Sequence, residues 1–317
     1  MIGFAVCETT KKSDEAPQRM SLSNAGVIRI GISGWTYKPW RGVFYPANLP
    51  LKQELEFAAN TFRTIEINGT FYSLQHPSSY QAWAERTPEN FVFSVKGSSY
   101  ITHLRRLREI EIPLANFFAS GILKLGPKLG PILWQFPPNF RYSHDRIEEF
   151  FALLPADTRA AAALAARHDD KMEDRSFYEI DANRRIRYAM EIRHASFVVP
   201  EFIDLLRKYK VALVCADTVE WPRLMDVTSD FIYCRLHGSE VLYASGYGPK
   251  AIEEWAERVT AWVGGGESKD GDYASDKRSS KRTKRDVFVY FDNDAKVKAP
   301  RDAKRLDVRV AELLGSR

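Results

Sequence analysis

Short runs rich in Val, Ile, Leu and Phe alternate along the chain with longer stretches whose apolar residues recur at helical spacing. The short runs are 28–33 (IRIGIS), 64–68 (TIEIN), 91–96 (FVFSVK), 132–136 (ILWQF), 188–193 (YAMEIR), 212–217 (ALVCAD), 231–237 (FIYCRLH) and 287–292 (VFVYFD). Their β-branched and aromatic content predicts eight strands. Helical spacing runs from Leu51 to Phe62, Ser78 to Arg86, Leu114 to Leu125, Asp145 to Leu154, Pro200 to Tyr209, Ala251 to Val263 and Arg301 to Leu314. Strand then helix, repeated, predicts parallel βαβ units. Eight such strands, a closing helix and no Gly-rich first βα turn favour an α/β chain folded as a single (β/α)8 TIM barrel over an open sheet.

Three stretches break the rhythm. The crossover between Asp217 and Phe231 has thirteen residues and contains Trp221-Pro222, close to the minimum for a parallel connection, so one outer helix is expected to be short or missing. Residues 1–26 are polar and aperiodic and are expected to be a disordered tail, with residues 27–317 forming the barrel domain. That domain carries two inserts. Residues 157–186 open with an alanine-rich run that predicts an added helix, and residues 264–285 offer glycine, serine and charge with little to bury, the composition of disorder.

Composition narrows the setting. Cys7, Cys215 and Cys234 are too few and too widely spaced for a disulfide framework or a zinc knuckle, so the fold must rest on its apolar core and a reducing cytoplasm is the expected location. No apolar run is long enough to span a bilayer and no basic residue precedes the short apolar start, so neither a membrane partner nor secretion is expected. The net charge is +5, but six basic residues fall in 277–285. Without them the remainder is −1, so the basic surplus belongs to one insert and says little about the barrel.

Alternation of side chains along each strand places the candidate chemistry. In TIEIN, outward Ile65 and Ile67 turn Glu66 and Asn68 inward; in YAMEIR, outward Met190 and Ile192 do the same for Glu191 and Arg193. The same reasoning turns Ser94, Lys96, Gln135, Cys215, Asp217, Tyr233, Arg235, His237 and Asp292 inward, with Gly31 and Ser33 from the first strand. Polar groups thus gather at the C-terminal ends of the strands, where such barrels carry their active sites. Buried together they must pair, ligate something or face water.

Several chemistries fit that set. It could be a closed ion-pair network that only caps the barrel. Glu66 and Glu191 could be a glycosidase acid–base pair, if about 5–9 Å apart. Glu66, Glu191, Asp217 and His237 could hold a divalent metal as cofactor, although no HxH or HExxH spacing supports it. Ser33, His237 and Asp217 contain the groups of a hydrolase triad without a GxSxG elbow around the serine. Lys96, Arg193 and Arg235 together suit a phosphate or carboxylate. His194 follows Arg193 at a loop start, and His103 lies where a βα loop could reach the mouth. Trp35, Tyr37, Trp40, Phe44 and Tyr45 crowd the first βα loop within eleven residues. They are read either as a hydrophobic plug or as a stacking surface, with Trp35 and Tyr37 the ones to touch a ligand.

The blocks Gly31 to Pro46, Glu66 to Tyr72, Thr102-His103, Lys128 to Pro131, Gln135 to Pro138, Glu191 to His194, Arg235 to Gly238 and Tyr290-Phe291 together resemble the YecE-like family, domain-of-unknown-function family 72. The resemblance runs from about Ile28 to Leu314. It implies one TIM-barrel domain of unestablished activity, and its motif positions coincide with Glu66, Asn68, Lys96, Gln135, Glu191, Arg193, His194, Arg235 and His237. This chain departs from the pattern at Phe197, often Trp, and at Asp292-Asn293-Asp294, usually an Asn pair.

The leading expectation is an enzyme, a hydrolase or lyase, acting on a small anionic molecule at the barrel mouth. Lys96, Arg193 and Arg235 would hold the anion, Glu66 or Glu191 would act as acid–base, and Glu66, Glu191 and His237 form the catalytic set. Asn68, Gln135, His194, Trp35 and Tyr37 complete the binding set. The competing expectation is a nucleic-acid partner, with metal-assisted phosphodiester cleavage by the same carboxylates and the basic 277–285 stretch on the backbone. A non-catalytic binding barrel is the third.

Overall fold

Eight parallel strands close on themselves in sequence order, each formed by one of the predicted apolar runs. They are β1 (Ile28–Ser33), β2 (Thr64–Ile67), β3 (Val92–Lys96), β4 (Leu129–Gln135), β5 (Tyr188–Glu191), β6 (Ala212–Asp217), β7 (Phe231–Leu236) and β8 (Asp286–Phe291). Closure is made by β1 against β8, with Ile28 opposite Val287 and Ile32 opposite Phe291. The computed structural model describes residues 26–238, 242–243, 245–280, 282, 284–293 and 297–315. The expected tail, save Gly26, lies outside them, as do Cys7 and Asp294.

The helices are α1 (Glu54–Thr61), α2 (Gly69–Tyr72), α3 (Pro77–Glu85), α4 (Glu111–Ala119), α5 (His144–Leu153), α6 (Thr158–Ala165), α7 (Pro200–Tyr209), α8 (Pro249–Val263) and α9 (Lys298–Gly315). Among the described residues, no helix is long and apolar enough to cross a membrane. Outward strand residues such as Ile65, Val95, Trp134, Met190 and Val289 join the helices in one large core. A smaller core fills the barrel itself, with Leu133, Ala189, Val214, Tyr233 and Tyr290. Two aqueous-phobic layers, one inside and one outside the strands, are what this architecture requires.

Strand β6 corrects the inward assignment. Ala212, Val214 and Ala216 belong to the interior cluster, whereas Leu213 and Cys215 belong to the outer core. Asp217 is likewise turned outward, where its carboxylate accepts from Trp255 Nε1 of α8 (3.3 Å) and pairs with Arg223 (3.2 Å). The run ALVCAD is apolar on both faces, so nothing in it marks the phase, and the small side chains take the crowded lumen.

The inserts fold differently from expectation in one case. The alanine-rich run does form α6, whose N-cap Asp157 accepts from the Ala160 amide at 2.9 Å. No helix follows β6, in line with the short crossover. Its place is taken by the second insert, expected to be disordered. The Met225 amide donates to Asp272 O (2.8 Å), and the Asp226 carboxylate accepts the Ala274 and Ser275 amides (2.8 and 3.2 Å). Arg258 of α8 pairs with Asp270. Arg285 is buried, donating to Gly265 O and Gly266 O at 2.6 Å each. Hydrogen bonds to backbone and the Arg258–Asp270 pair, with Tyr273 and Ala274 packed on the core, order this segment.

Candidate functional site

The C-terminal mouth is built around Arg235, fully buried at the end of β7. Its Nε donates to Glu66 Oε2 (3.1 Å) and its Nη2 to Glu66 Oε1 (2.9 Å). Nη1 donates to Glu191 Oε2 (2.7 Å) and Gln135 Oε1 (3.4 Å), and Nη2 also to Asp292 Oδ2 (2.8 Å). One guanidinium therefore ties β2, β4, β5, β7 and the residue after β8. Its fork geometry is what allows a single cation to serve three carboxylates.

Glu66 is saturated. Besides Arg235 it accepts from Ser33 Oγ on Oε1 and from Tyr233 Oη on Oε2 (2.6 Å), which uses about all four of a carboxylate's lone-pair sites. Burial, and then the Glu66 charge, push the Tyr233 phenol well above its ordinary value, so it stays a donor. Glu191 is nearly as full, since its Oε1 takes Nε (2.7 Å) and Nη2 (2.6 Å) of Arg193. Burial alone would raise the Glu191 pKa, but Arg193 and then Arg235 outweigh it and hold the carboxyl far below its usual range. Asp292 is held low in the same way, by Arg235 and then His237 against the effect of burial. Arg235 stands between Glu66 and Glu191 and bonds both, so as arranged the two carboxylates anchor the network.

Arg193 and Lys96 retain capacity. The Arg193 guanidinium lies 4.1 Å from the Trp221 ring centroid, a cation–π contact, and its Nη2 donates to Tyr243 Oη at 3.4 Å. Nη1 of Arg193 has no partner among the described residues. Lys96 ends β3 with 7% of its surface exposed. Its Nζ makes no hydrogen bond or ion pair among the described residues and lies 4.4 Å from the centroid of the Phe71 ring. Thr70 Oγ1 donates to the Lys96 carbonyl (2.6 Å), which pins α2 to the end of β3 and sets Phe71 against the ammonium. Burial, and then the neighbouring Arg235 charge, lower the Lys96 pKa to about 8.

Two imidazoles complete the mouth. His237 is fully buried, with Nδ1 3.1 Å from Asp292 Oδ2 and Nε2 3.8 Å from Glu191 Oε2. Neither nitrogen has a well-aligned hydrogen bond among the described residues, and the ring is boxed by the edges of Trp221 and Tyr243. His103 meets the Phe71 ring edge to face at 5.0 Å and shares a 2.8 Å contact between Nδ1 and Thr102 Oγ1. Burial, then Arg193 and Lys96, push it down to about 4, so it is uncharged at neutral pH.

The remaining predicted residues fall in three places. Asn68 Nδ2 donates to Ser33 Oγ (3.0 Å), while its buried Oδ1 has no partner among the described residues. His194 Nδ1 accepts from the Ser196 amide (3.0 Å) and fixes the loop after β5. Trp35 leaves the mouth altogether, packing on Trp83 of α3 and on outward Phe93. Tyr37 donates to Ser33 O (2.7 Å) and packs, tilted, on buried Trp40, which makes the aromatic loop largely a plug.

The hydrolase triad is not assembled, because Asp217 faces outward and Ser33 is committed to Glu66. Glu191 has its oxygens filled by arginine and Glu66 by Arg235, Ser33 and Tyr233, and no cluster of three or more His, Cys, Asp or Glu among the described residues is arranged to hold a metal ion. The basic stretch is not at the mouth either. Lys277, Arg278 and Arg282 line a cavity of about 510 Å³ with Arg185, Arg207 and Lys210, next to the starts of β5, β6 and β7. The parts that the nucleic-acid reading needs are thus divided between opposite ends of the barrel. Sequence reasoning gave no site role to Phe71, Trp221 and Tyr243; only Phe71 stood in a recognisable motif, and the other two lie in aperiodic loops.

A protein family described as "Protein of unknown function DUF72" matches residues 29–315. The YunF protein of Bacillus subtilis, UPF0759, is 30% identical over 122 residues, covering 36% of this chain and 41% of YunF. The YecE protein of Escherichia coli K12, also UPF0759, is 29% identical over 114 residues, 36% of this chain and 39% of YecE. The aligned part thus spans about two fifths of these curated relatives. Among solved structures, a DUF72 protein of Thermotoga maritima (TM1631) superposes with a TM-score of 0.64 at 22% identity, over 91% of this chain and 99% of that one. A DUF72 protein of Enterococcus faecalis (EF0366) gives 0.63 at 17%, over 90% and 96%. At these identities the structures speak to the fold.

Proposed function

The chain belongs to the DUF72 family of proteins of unknown function, and from that premise we propose that it is an enzyme acting on a small anionic substrate at the barrel mouth. The observation that carries this is the Lys96 ammonium, nine-tenths buried at a strand end with no carboxylate in contact among the described residues. Burying an unpaired charge is costly, and an incoming carboxylate or phosphate removes that cost. Arg193 Nη1, the guanidinium nitrogen that neither Glu191 nor Tyr243 takes, offers a second donor.

The roles follow from what each group has left to give. Arg235, Glu66 and Glu191 are filled and hold the frame. Lys96 and Arg193 take the anion. Proton transfer suits His103, which is uncharged at neutral pH and half-buried beside Lys96's aromatic neighbour. In charge, the mouth carries Glu66, Glu191 and Asp292 against Arg193, Arg235 and Lys96, an even balance.

Thermal unfolding in sulfate, phosphate and short carboxylates, at ionic strength matched with chloride, tests the reading. Wild type is expected to gain about 2.7 kcal/mol at a hundredfold excess over Kd, and Lys96→Gln and Arg193→Gln to lose that gain. No anion-specific stabilisation of wild type, or an equal gain in both variants, would overturn it.

A further inference from the structure

The half-buried Lys128 is accounted for by its partners: its Nζ donates to Ala84 O, to Thr87 O at 2.7 Å and to Thr87 Oγ1 at 3.2 Å. Lys96 differs. Its amine meets the face of Phe71 and, among the described residues, no hydrogen-bond acceptor. Arg235 is close enough that its charge disfavours a second cation. Glu66, Asp292 and Glu191 favour the proton from a distance, but burial and Arg235 outweigh them. An amine desolvated against apolar surface, near another cation and with no carboxylate in contact, is the setting that makes a lysine nucleophilic.

We infer that Lys96 condenses with the carbonyl carbon of a small aldehyde or ketone that carries a carboxylate or phosphate, forming an imine. The inference rests on the anion reading above and names the substrate class for the same site. Arg193 Nη1, which neither Glu191 nor Tyr243 takes, is the donor left for the anionic end.

The step balances without any oxidant or reductant. The uncharged amine's lone pair attacks the carbonyl carbon, and the C=O π pair moves to oxygen to give a carbinolamine. The nitrogen lone pair then forms the C=N bond as the C–O bond breaks. Overall, one ammonium and one carbonyl give one protonated imine and one water, and both protons lost from nitrogen leave in that water. A group must carry them from nitrogen to oxygen. His103, uncharged at neutral pH and in contact with the same Phe71 ring, is the carrier the geometry offers. Lowering of the Lys96 pKa to about 8 leaves roughly a tenth of the amine unprotonated near neutrality, far more than an ordinary lysine has.

The test is reductive trapping of the full chain with cyanoborohydride near neutral pH, using pyruvate, glyoxylate and dihydroxyacetone phosphate in separate arms, with the adduct mapped by peptide mass. Lactate and glycerol 3-phosphate, which lack the carbonyl, serve as thermal-shift counterparts. The expected result is an adduct concentrated on Lys96, from the carboxylate arms or the phosphate arm, and missing in Lys96→Arg. Adducts spread over surface lysines in proportion to exposure would overturn the inference, and the wild-type peptide map decides this whether or not Lys96→Arg folds. Stabilisation by lactate or glycerol 3-phosphate without a Lys96 adduct would overturn the imine and leave the anion reading standing. A Lys96 adduct from acetaldehyde as readily as from pyruvate, with no stabilisation by the carbonyl-free anions, would support the amine's reactivity and overturn the anionic end.

Discussion

The Lys96 ammonium lies 4.4 Å from the centroid of the Phe71 ring, and that contact takes the place of an ion pair. Three carboxylates occupy the same mouth, yet all three are bound to Arg235. The arginine fork captures the anions, and the lysine is left for something that arrives from outside.

Anion binding should therefore follow the Lys96 proton. With a pKa of about 8, the ammonium is present below that value and lost above it, so affinity should fall as pH rises through 8, approaching about tenfold per unit. A bound anion favours the charged form, so binding near and above pH 8 should take up protons. Calorimetry in buffers of different ionisation enthalpy measures that uptake.

Acid should unfold the protein through Glu191 and Asp292. Both folded-state pKa values lie well below the usual carboxylate range, so the stability they confer is complete above about pH 5 and is lost as pH falls through the acid range. The unfolding free energy is expected to drop by up to about 2.7 kcal/mol per pH unit if both take up protons. Urea titrations from neutral pH to strongly acid conditions check the slope, which Asp292→Asn should roughly halve.

Removing the hub should be far worse than removing a spoke. Arg235→Gln leaves Glu66 and Asp292 without their arginine and Glu191 with Arg193 alone, and should cost at least ~3–5 kcal/mol. Tyr233→Phe removes one of four donors to Glu66 and should cost ~1.5–3 kcal/mol. Equilibrium unfolding of both variants gives the comparison, and soluble expression of Arg235→Gln is itself a readout.

Trp221→Leu should weaken anion binding without touching the anion. The indole stacks on Arg193, a contact of about 0.5–2 kcal/mol, and its loss frees the guanidinium to reorient. An affinity loss of about two- to thirtyfold at unchanged pH dependence would fit. Titration of phosphate against the variant measures it.

The second insert should behave as a structural part of the barrel. Amide exchange at Ala274 and Ser275, whose donors are held by Asp226, should be slow in wild type and fast in Asp226→Ala. Equal exchange in the two would show that the contact confers no order.

How much of this was legible depended on contrast between faces. In TIEIN and YAMEIR, bulky aliphatics alternate with Glu, Asn and Arg, so the phase was plain and Glu66, Glu191 and Arg193 came out inward. In ALVCAD both faces are apolar, and Asp217 faces outward against the alternation argument because lumen crowding, not polarity, decides there. The insert departs from expectation for a related reason: its order comes mainly from backbone hydrogen bonds, the Arg258–Asp270 pair and buried Arg285, with only Tyr273 and Ala274 packed on the core, which composition does not report. Phe71 lies in a four-residue helix, and Trp221 and Tyr243 in loops. Only the closed barrel brings them to Lys96, Arg193 and His237.

The most direct test of the central claim, that the mouth binds an anion on Lys96, is a crystal structure of the full chain in selenate with anomalous data collected at the selenium edge. The expected result is a selenate within hydrogen-bonding distance of Lys96 Nζ, on the side of Arg193 Nη1. Selenate ordered only in the basic cavity near Lys210 and Arg282, at the opposite end of the barrel, would contradict it.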